Sequence, residues 1–505
     1  MTSRPIHILI LLLCCVPLFF LNIQPTHNYG DDWAQYLQEA VNIAQGKPYY
    51  RSGYVFNPLN TTYAPPQYPP GYPMLIAPLV RCTDTAILPL LYLNSLFLCM
   101  MLFTGYYYFR EKTGSTKALC LAIILTYLFP VIDLKGQVLS DIPCAVLSLL
   151  YLAIREQEKE WRYGRLLLLS AIAAAAMLIR VQAVVLILAE LLFFVLAYRK
   201  KNRPVAAGKF LLLPPQVFLA LTALFLFALV NYIMLPAPQS GIRFYLNLYR
   251  VSFDNNVWKM ILSNSKYLLQ LFNGILYRSM DNRILQVAVS AMTLSSMVLA
   301  FIGFIKAVKE KLSFSLVFFV LMCFLILVTP IHQGLRYFLP AVPVYLLLLV
   351  KGVSIVLPSR LMPRTNTIAI LGVIIFLALG HNDYRHKLHG VYENTLAHTD
   401  SVAFDYVRKH IPDKDIVLFA KPRLLVLYTG KRSMNLSWQH TLATNRRQFD
   451  SLGIGYLLYC RHLNFGLVDS LLRSEPKPYS DSTVINKDYT LYYLKRKVPH
   501  QFFEN

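Results

Sequence analysis

The chain has 505 residues, of which 56% are hydrophobic and 15% charged, with a formal net charge of +23. A composition this apolar excludes an ordinary soluble globular protein. Apolar runs of about 17–25 residues recur along the chain, the length a helix needs to cross a bilayer. The positive charge gathers in short loops between those runs, as membrane orientation requires, which argues against nucleic acid as a partner.

The pattern is that of an all-α polytopic membrane protein. Spans are expected near residues 6–23, 85–109, 117–132, 142–154, 166–179, 183–198, 210–234, 285–305, 312–329, 339–357 and 367–380, about eleven in all. The first run is read as an uncleaved span, because no small-residue cleavage site follows it. Lys and Arg counts separate two sets of loops. "FREKTGSTK", "REQEKEWRYGR", "YRKKNRP", "KAVKEK" and "PSRLMPR" are strongly basic and define the cytoplasmic side. The N-terminus then lies inside and the C-terminus outside. The other set holds a long first loop (24–84), a short loop (133–141), a third loop (235–284) and a tail (381–505). "YLNLYRVSF" and "WKMILSNSKYLLQLF" in the third loop read as surface-lying amphipathic helices. In the tail, residues 397–412 read as a helix, and "DIVLFA", "IGYLLYC" and "YTLYYLK" as strands. Two domains follow: a membrane domain over 1–380 and a small α/β extracytoplasmic domain over 381–505. None of the eight cysteines stands in a CxxC or CxxH spacing, so neither a zinc site nor a disulfide framework is indicated.

The polar residues concentrate on the outer side. "YGDDWAQYLQEAVNIAQGKPYY" places Asp31 and Asp32 at the start of a helical pattern. Such a pair serves a helix N-terminus, and it also serves a base, since backbone donors there keep a carboxylate ionised. "YAPPQYPPGYPMLIAPL" is stiffened by proline, with Tyr63, Tyr68 and Tyr72 suited to stacking on a sugar or lipid along a groove, or to a plain re-entry into the membrane. In "KGQVLSDIPCAVLSLL", Ser140 or Asp141 reads as a helix cap, and Asp133 with Lys135 as a solvated loop pair. Arg180 and Gln182 interrupt an apolar stretch, where a cation must be solvated or paired. "HQGLRYFLPAVPVYLLL" brings His332, Arg336 and Tyr337 to the start of a span, and the planar guanidinium of Arg336 suits phosphate oxygens. Arg243, Lys266, Arg278 and Arg283 are weaker candidates for the same phosphate.

The first-loop stretch, then "YPPGYP", then "LSDIP", then "LRYFLPAVP", taken in this order over residues 1–350, resembles the protein mannosyltransferase and aminoarabinose transferase superfamily. The tail stretch "VLFAKPRLLVLYTGKR" is similar to the outer domain of bacterial relatives. The resemblance implies the GT-C fold and a sugar donor linked to polyprenyl phosphate. It implies an acceptor hydroxyl (lipid, glycan or protein) attacking the anomeric carbon with inversion, at the outer face of the cytoplasmic membrane. It further implies a first-loop base at Asp31 or Asp32, with Asp31 preferred, and a supporting carboxylate at Asp141. Donor-phosphate contacts fall on Arg336 and, after it, Arg180, with Tyr337 beside them. No cofactor is certain; a divalent metal ion held by Asp31 and Asp141 is left open. Gln67 and Tyr68 stand where some lipid A-modifying relatives carry a lysine, which counts against assuming an aminoarabinose donor. The rival from another class is a transporter or flippase of polyprenyl-linked glycans, against which stands the scarcity of charge within the spans.

Overall fold

The computed structural model describes residues 4–24, 27, 29–60, 65–157, 161–201, 214–235, 244, 246–250, 257–276, 283–358, 364–388, 396–437, 440–463, 466–474 and 477–495. Tyr63, Arg243 and Arg278 lie outside the described residues.

Every apolar run named above contains a helix. Among the described residues, Ile87–Thr113, Pro215–Met234, Arg283–Glu310 and Leu339–Val356 are long and apolar enough to cross a membrane. Ser115–Tyr127 with Phe129–Lys135, and Thr365–Leu379 with His381–Leu388, are helix pairs bent by 51° and 52°. Shorter apolar helices cover Pro5–Phe19, Tyr163–Ile179, Val181–Ala197 and Phe314–Val328. Pro130 explains the first bend, because it cannot continue the hydrogen bonding of the preceding turn. Helices Arg283–Glu310 and Val342–Val356 cross at two glycines. A Cβ on Gly303 would lie 1.9 Å from the Leu348 carbonyl oxygen, and one on Gly352 would lie 1.8 Å from that of Leu299. Only glycine permits backbones this close.

Three of the basic connectors meet in one cavity. Lys112, Arg155, Glu156, Arg165 and Lys311 contribute to its lining. There Lys112 pairs with Glu156 at 2.7 Å, and Arg155 pairs with buried Glu190 at 2.6 Å.

The short loop is not the solvated segment expected. Lys135 is fully buried and donates to the Leu21 carbonyl, while Asp133 pairs with Lys387 at 2.8 Å. Side-chain amides fasten the loop from outside: Asn22 donates to Ile132 O at 2.8 Å, Gln24 to Gly136 O at 2.9 Å and Asn94 to Gln137 O at 2.7 Å. Buried carbonyls need such partners. The lysine–aspartate spacing suggested a local pair, but each group instead finds a partner far away in sequence.

In the tail, helix His398–His410 precedes a five-stranded sheet in the order β2-β1-β3-β5-β4. The strands are β1 (Ile416–Leu418), β2 (Arg432–Met434), β3 (Tyr456–Cys460), β4 (Tyr479–Val484) and β5 (Tyr489–Leu494). β1 pairs in parallel with β2 and β3, and β5 runs antiparallel to β3 and β4. The crossover from β1 to β2 carries helix Pro422–Thr429. β1 therefore has parallel neighbours on both sides.

The first loop packs against the tail. Val55 N–H donates to Ser433 O at 2.9 Å, so residues 53–55 cover the β2 edge. Tyr29 donates to Asp400 at 2.8 Å, and Tyr489 donates to the same carboxylate at 2.5 Å. Loop and tail share one hydrophobic core that includes Trp33, Leu37, Phe404, Phe419 and Leu424.

Candidate active site

Asp31 is the N-cap residue of helix Asp32–Ala44, yet its side chain makes no cap bond to that helix. Its Oδ1 accepts Leu424 N–H at 3.1 Å instead. Leu424 occupies the third position of helix Pro422–Thr429, whose first turn has unpaired donors. Asp31 thus caps the tail helix, and it is 7% exposed.

Asp32 lines a cavity of about 190 Å³. Tyr36, Pro65, Tyr68, Arg180, Arg336 and Tyr337 share this lining, and Phe244, Leu248, Leu325 and Ile331 form an apolar part of it. Tyr68 donates its hydroxyl proton to Asp32 Oδ1 at 2.8 Å and stacks on Tyr36 at 4.4 Å. Tyr72 lies one layer deeper, fully buried and edge-on to Tyr36 at 5.0 Å, outside the cavity lining. Glu39 holds the proline loop from behind: its Oε1 accepts Tyr68 N–H at 3.1 Å and its Oε2 accepts the Tyr49 hydroxyl at 2.8 Å. Burial, only partly opposed by hydrogen bonds from Gln35, Tyr68 and Tyr49, pushes the Glu39 carboxyl up to about 7.

Arg336 sits on the turn Gly334–Tyr337, where Gly334 takes φ +64°, a conformation open to glycine. His332 steadies that turn by stacking on Tyr267 at 3.9 Å and bonding Asn264 at 2.7 Å. The Arg336 guanidinium bridges two carboxylates. Its Nε meets both oxygens of Asp141 at 3.2 Å, and its Nη1 and Nη2 meet Asp32 Oδ2 at 3.2 Å. Burial would lower the Arg336 pKa, but Asp141 and Asp32 overrule it and hold the guanidinium charged.

Asp141 is 1% exposed and also pairs with Arg180 at 2.9 Å. Ser140, expected to cap helix Asp141–Arg155, makes no cap bond. Its hydroxyl meets Tyr36 Oη at 2.8 Å and receives Arg180 Nη1 at 3.1 Å. Arg180 lies at the break between helix Tyr163–Ile179 and the next turn, with its guanidinium 5.1 Å from the Tyr337 ring centroid.

A third arginine, Arg423 of the tail, completes the cluster at 3.4 Å from Asp32 Oδ1 and 4.0 Å from Asp31 Oδ2. Asp31, Asp32 and Asp141 thereby face Arg180, Arg336 and Arg423. Burial raises the Asp32 pKa, but Arg336, Arg423, the Tyr68 hydroxyl and Arg180 together hold the carboxyl below its ordinary range. Arg423 was not singled out from the sequence. The available signal was "AKPRLL", a cation just inside the positive end of a helix, where it needs compensation. Lys266 and Arg283 are exposed and do not line the cavity.

A metal ion bridging Asp31 and Asp141 does not suit these residues. Asp31 is turned toward Leu424 and Arg423, and Asp141 is occupied by two guanidinium groups. Among the described residues, no group of three or more His, Cys, Asp or Glu side chains gathers that could hold a metal.

No family model matches the chain, and no curated protein sequence matches it. Solved structures do. ArnT from Cupriavidus metallidurans bound to undecaprenyl phosphate is similar with a TM-score of 0.60 at 12% identity, over 99% of this chain and 100% of that one. The archaeal oligosaccharyltransferase AglB from Archaeoglobus fulgidus, in complex with an inhibitory peptide and a dolichol-phosphate, gives 0.57 at 10% identity, over 92% and 70%. Arabinofuranosyltransferase AftD from Mycobacteria gives 0.53 at 11% identity, over 98% of this chain and 40% of that one. The chain has the fold that these GT-C glycosyltransferases share.

Proposed function

We propose that the chain is a multi-pass inner-membrane glycosyltransferase. It moves a sugar from a polyprenyl-phosphate donor to an acceptor hydroxyl at the extracytoplasmic face. The observation that carries this reading is Arg336, which joins Asp32 and Asp141 at a cavity lined by both charged and apolar side chains. A lipid phosphate needs both kinds of lining. ArnT and AglB, similar in fold, were solved with undecaprenyl phosphate and a dolichol-phosphate. Residues 1–380 form the membrane domain, with about eleven spans, and residues 381–505 the extracytoplasmic domain.

Asp32 is the base in this reading, in preference to Asp31, because Asp32 lines the cavity and Asp31 holds the tail. The Asp32 carboxylate takes the proton of the acceptor hydroxyl as its oxygen attacks the anomeric carbon. The bond from that carbon to the phosphate oxygen breaks, and the polyprenyl phosphate departs with the electron pair. Single displacement inverts the anomeric centre. The leaving group is already a phosphate, so charge stabilisation by Arg336 and Arg180 replaces a strong acid. Asp141 orients both arginines; Tyr68 and Tyr337 flank the reacting sugar. No step runs through a metal.

The test is mass spectrometry of lipids and glycans from cells with the chain, without it, and with Asp32→Asn. Loss of one hexose or pentose from a defined acceptor in the last two supports the reading. An unchanged set of glycosidic bonds, with lipid-linked glycan accumulating on the inner leaflet, would assign a transporter instead.

A further inference from the structure

We infer that Arg423 of the tail is a positioning residue that fixes Oδ1 of Asp32 and leaves Oδ2 to take the acceptor proton. The inference rests on Asp32 as the base.

Arg423 is 1% exposed, although it stands at the second position of helix Pro422–Thr429. Both circumstances disfavour a cation, through burial and through the helix dipole. Carboxylates from the first loop compensate it. Nη1 approaches Asp32 Oδ1 at 3.4 Å and donates to the Tyr68 hydroxyl oxygen at 3.1 Å, and Nη2 donates to Pro65 O at 3.2 Å. The guanidinium lies 5.0 Å from the Tyr54 ring centroid and 5.2 Å from that of Tyr68. Tyr68 in turn donates to the same Oδ1 at 2.8 Å.

The two oxygens of Asp32 therefore have different partners. Oδ1 is held by groups with other fixed anchors: Arg423 on the tail helix and Tyr68 on the proline loop. Oδ2 meets Arg336 alone among the arginines, at 3.2 Å. Arg336 lines the cavity and is the group a donor phosphate would engage. When phosphate oxygens compete for it, Oδ2 becomes available as a proton acceptor while Oδ1 keeps its orientation and its cationic neighbour. The tail thus completes the site, which explains why a small sheet is joined to the first loop through Asp31, Tyr29 and residues 53–55 together.

The experiment uses the full-length chain in vesicles from its own cells, which carry donor and acceptor. Transfer is followed as loss of lipid-linked sugar across a pH series for wild type, Arg423→Gln, Arg423→Lys and Asp32→Asn. Arg423→Gln is expected to lower kcat on the order of 10²-fold, to leave KM for the donor unchanged, and to move the acid limb of kcat/KM to higher pH. Arg423→Lys keeps the charge but not the fork, so its limb moves less and part of kcat returns. If Arg423→Gln does not yield folded protein, the limb of Arg423→Lys decides. An acid limb in the wild-type position, with kcat lowered equally at every pH, overturns the inference and leaves Asp32 as the base. Full transfer by Asp32→Asn overturns the base assignment itself.

Discussion

Asp31 and Leu424 are almost four hundred positions apart, yet the carboxylate of one caps the helix of the other at 3.1 Å. This contact separates the duties of two adjacent aspartates. Asp31 ties the first loop to the tail, and Asp32 faces the cavity.

Asp31→Ala should cost about 0.5–2 kcal/mol of stability, as loss of a helix cap does. Thermal unfolding in detergent and limited proteolysis between membrane helices and tail would measure it. Asp31→Asn keeps an acceptor oxygen, so it should retain most transfer activity. Asp32→Asn should lose about 10²–10⁴-fold. Equal losses in the two Asn variants would contradict this division.

Wild-type transfer should persist as pH falls through the ordinary aspartate range near pKa ~3.9, because the surrounding arginines hold Asp32 ionised. A rate profile of the folded chain checks this. An acid limb above that range would show that burial outweighs the arginines.

Arg336→Gln should lower kcat by about 10²–10³-fold, as loss of a charge-stabilising donor does, and should weaken binding of undecaprenyl phosphate. The variant also leaves Asp141 with one guanidinium fewer, so binding measured separately from stability is needed. Undiminished binding of undecaprenyl phosphate would remove Arg336 from the phosphate site.

Glu39 sets a pH dependence of stability. Its folded pKa, about 7, lies above its ordinary value of 4.5, so the folded state holds the proton more tightly than the unfolded one. The contribution is full below the ordinary value and is lost as pH rises through 7. Glu39→Gln keeps a neutral group that can bond Tyr49 and Tyr68. Its melting temperature should decline less than that of wild type between pH 5 and pH 8. Parallel declines would assign the effect elsewhere.

Gly303→Ala should lower stability by about 1–3 kcal/mol through overpacking, because its Cβ would overlap the Leu348 carbonyl. Gly164→Ala, with nothing within 4 Å, is the control.

Much of the fold was legible as local pattern. Apolar runs marked where helices form, since periodicity and length are properties of contiguous residues. Strands β1, β3 and β5 were visible for the same reason. β2 reads Arg-Ser-Met, with one apolar residue in three, and β4 is largely exposed, so neither carries a strong apolar signal. The four motifs named Asp32, Tyr68, Asp141, Arg336 and Tyr337, the charge interrupting an apolar stretch named Arg180, and the structure brings these six together. Tyr72 fell in the core beneath them, because helix Gly71–Thr83 turns that side chain inward.

Contiguous residues were enough to specify the helical segments, the basic loops of one side and the order of the motifs. Only the tertiary structure decided how the charges are shared. Lys135 and Asp133 are neighbours that part company, while Arg336 and Arg423 reach carboxylates some three hundred to four hundred residues away. The physical reason is that a buried charge must find an opposite partner wherever the fold brings one near. Local spacing cannot specify a partner on a distant segment, so the roles of Asp31 and Asp32 diverge only when the tail helix is set against the first loop.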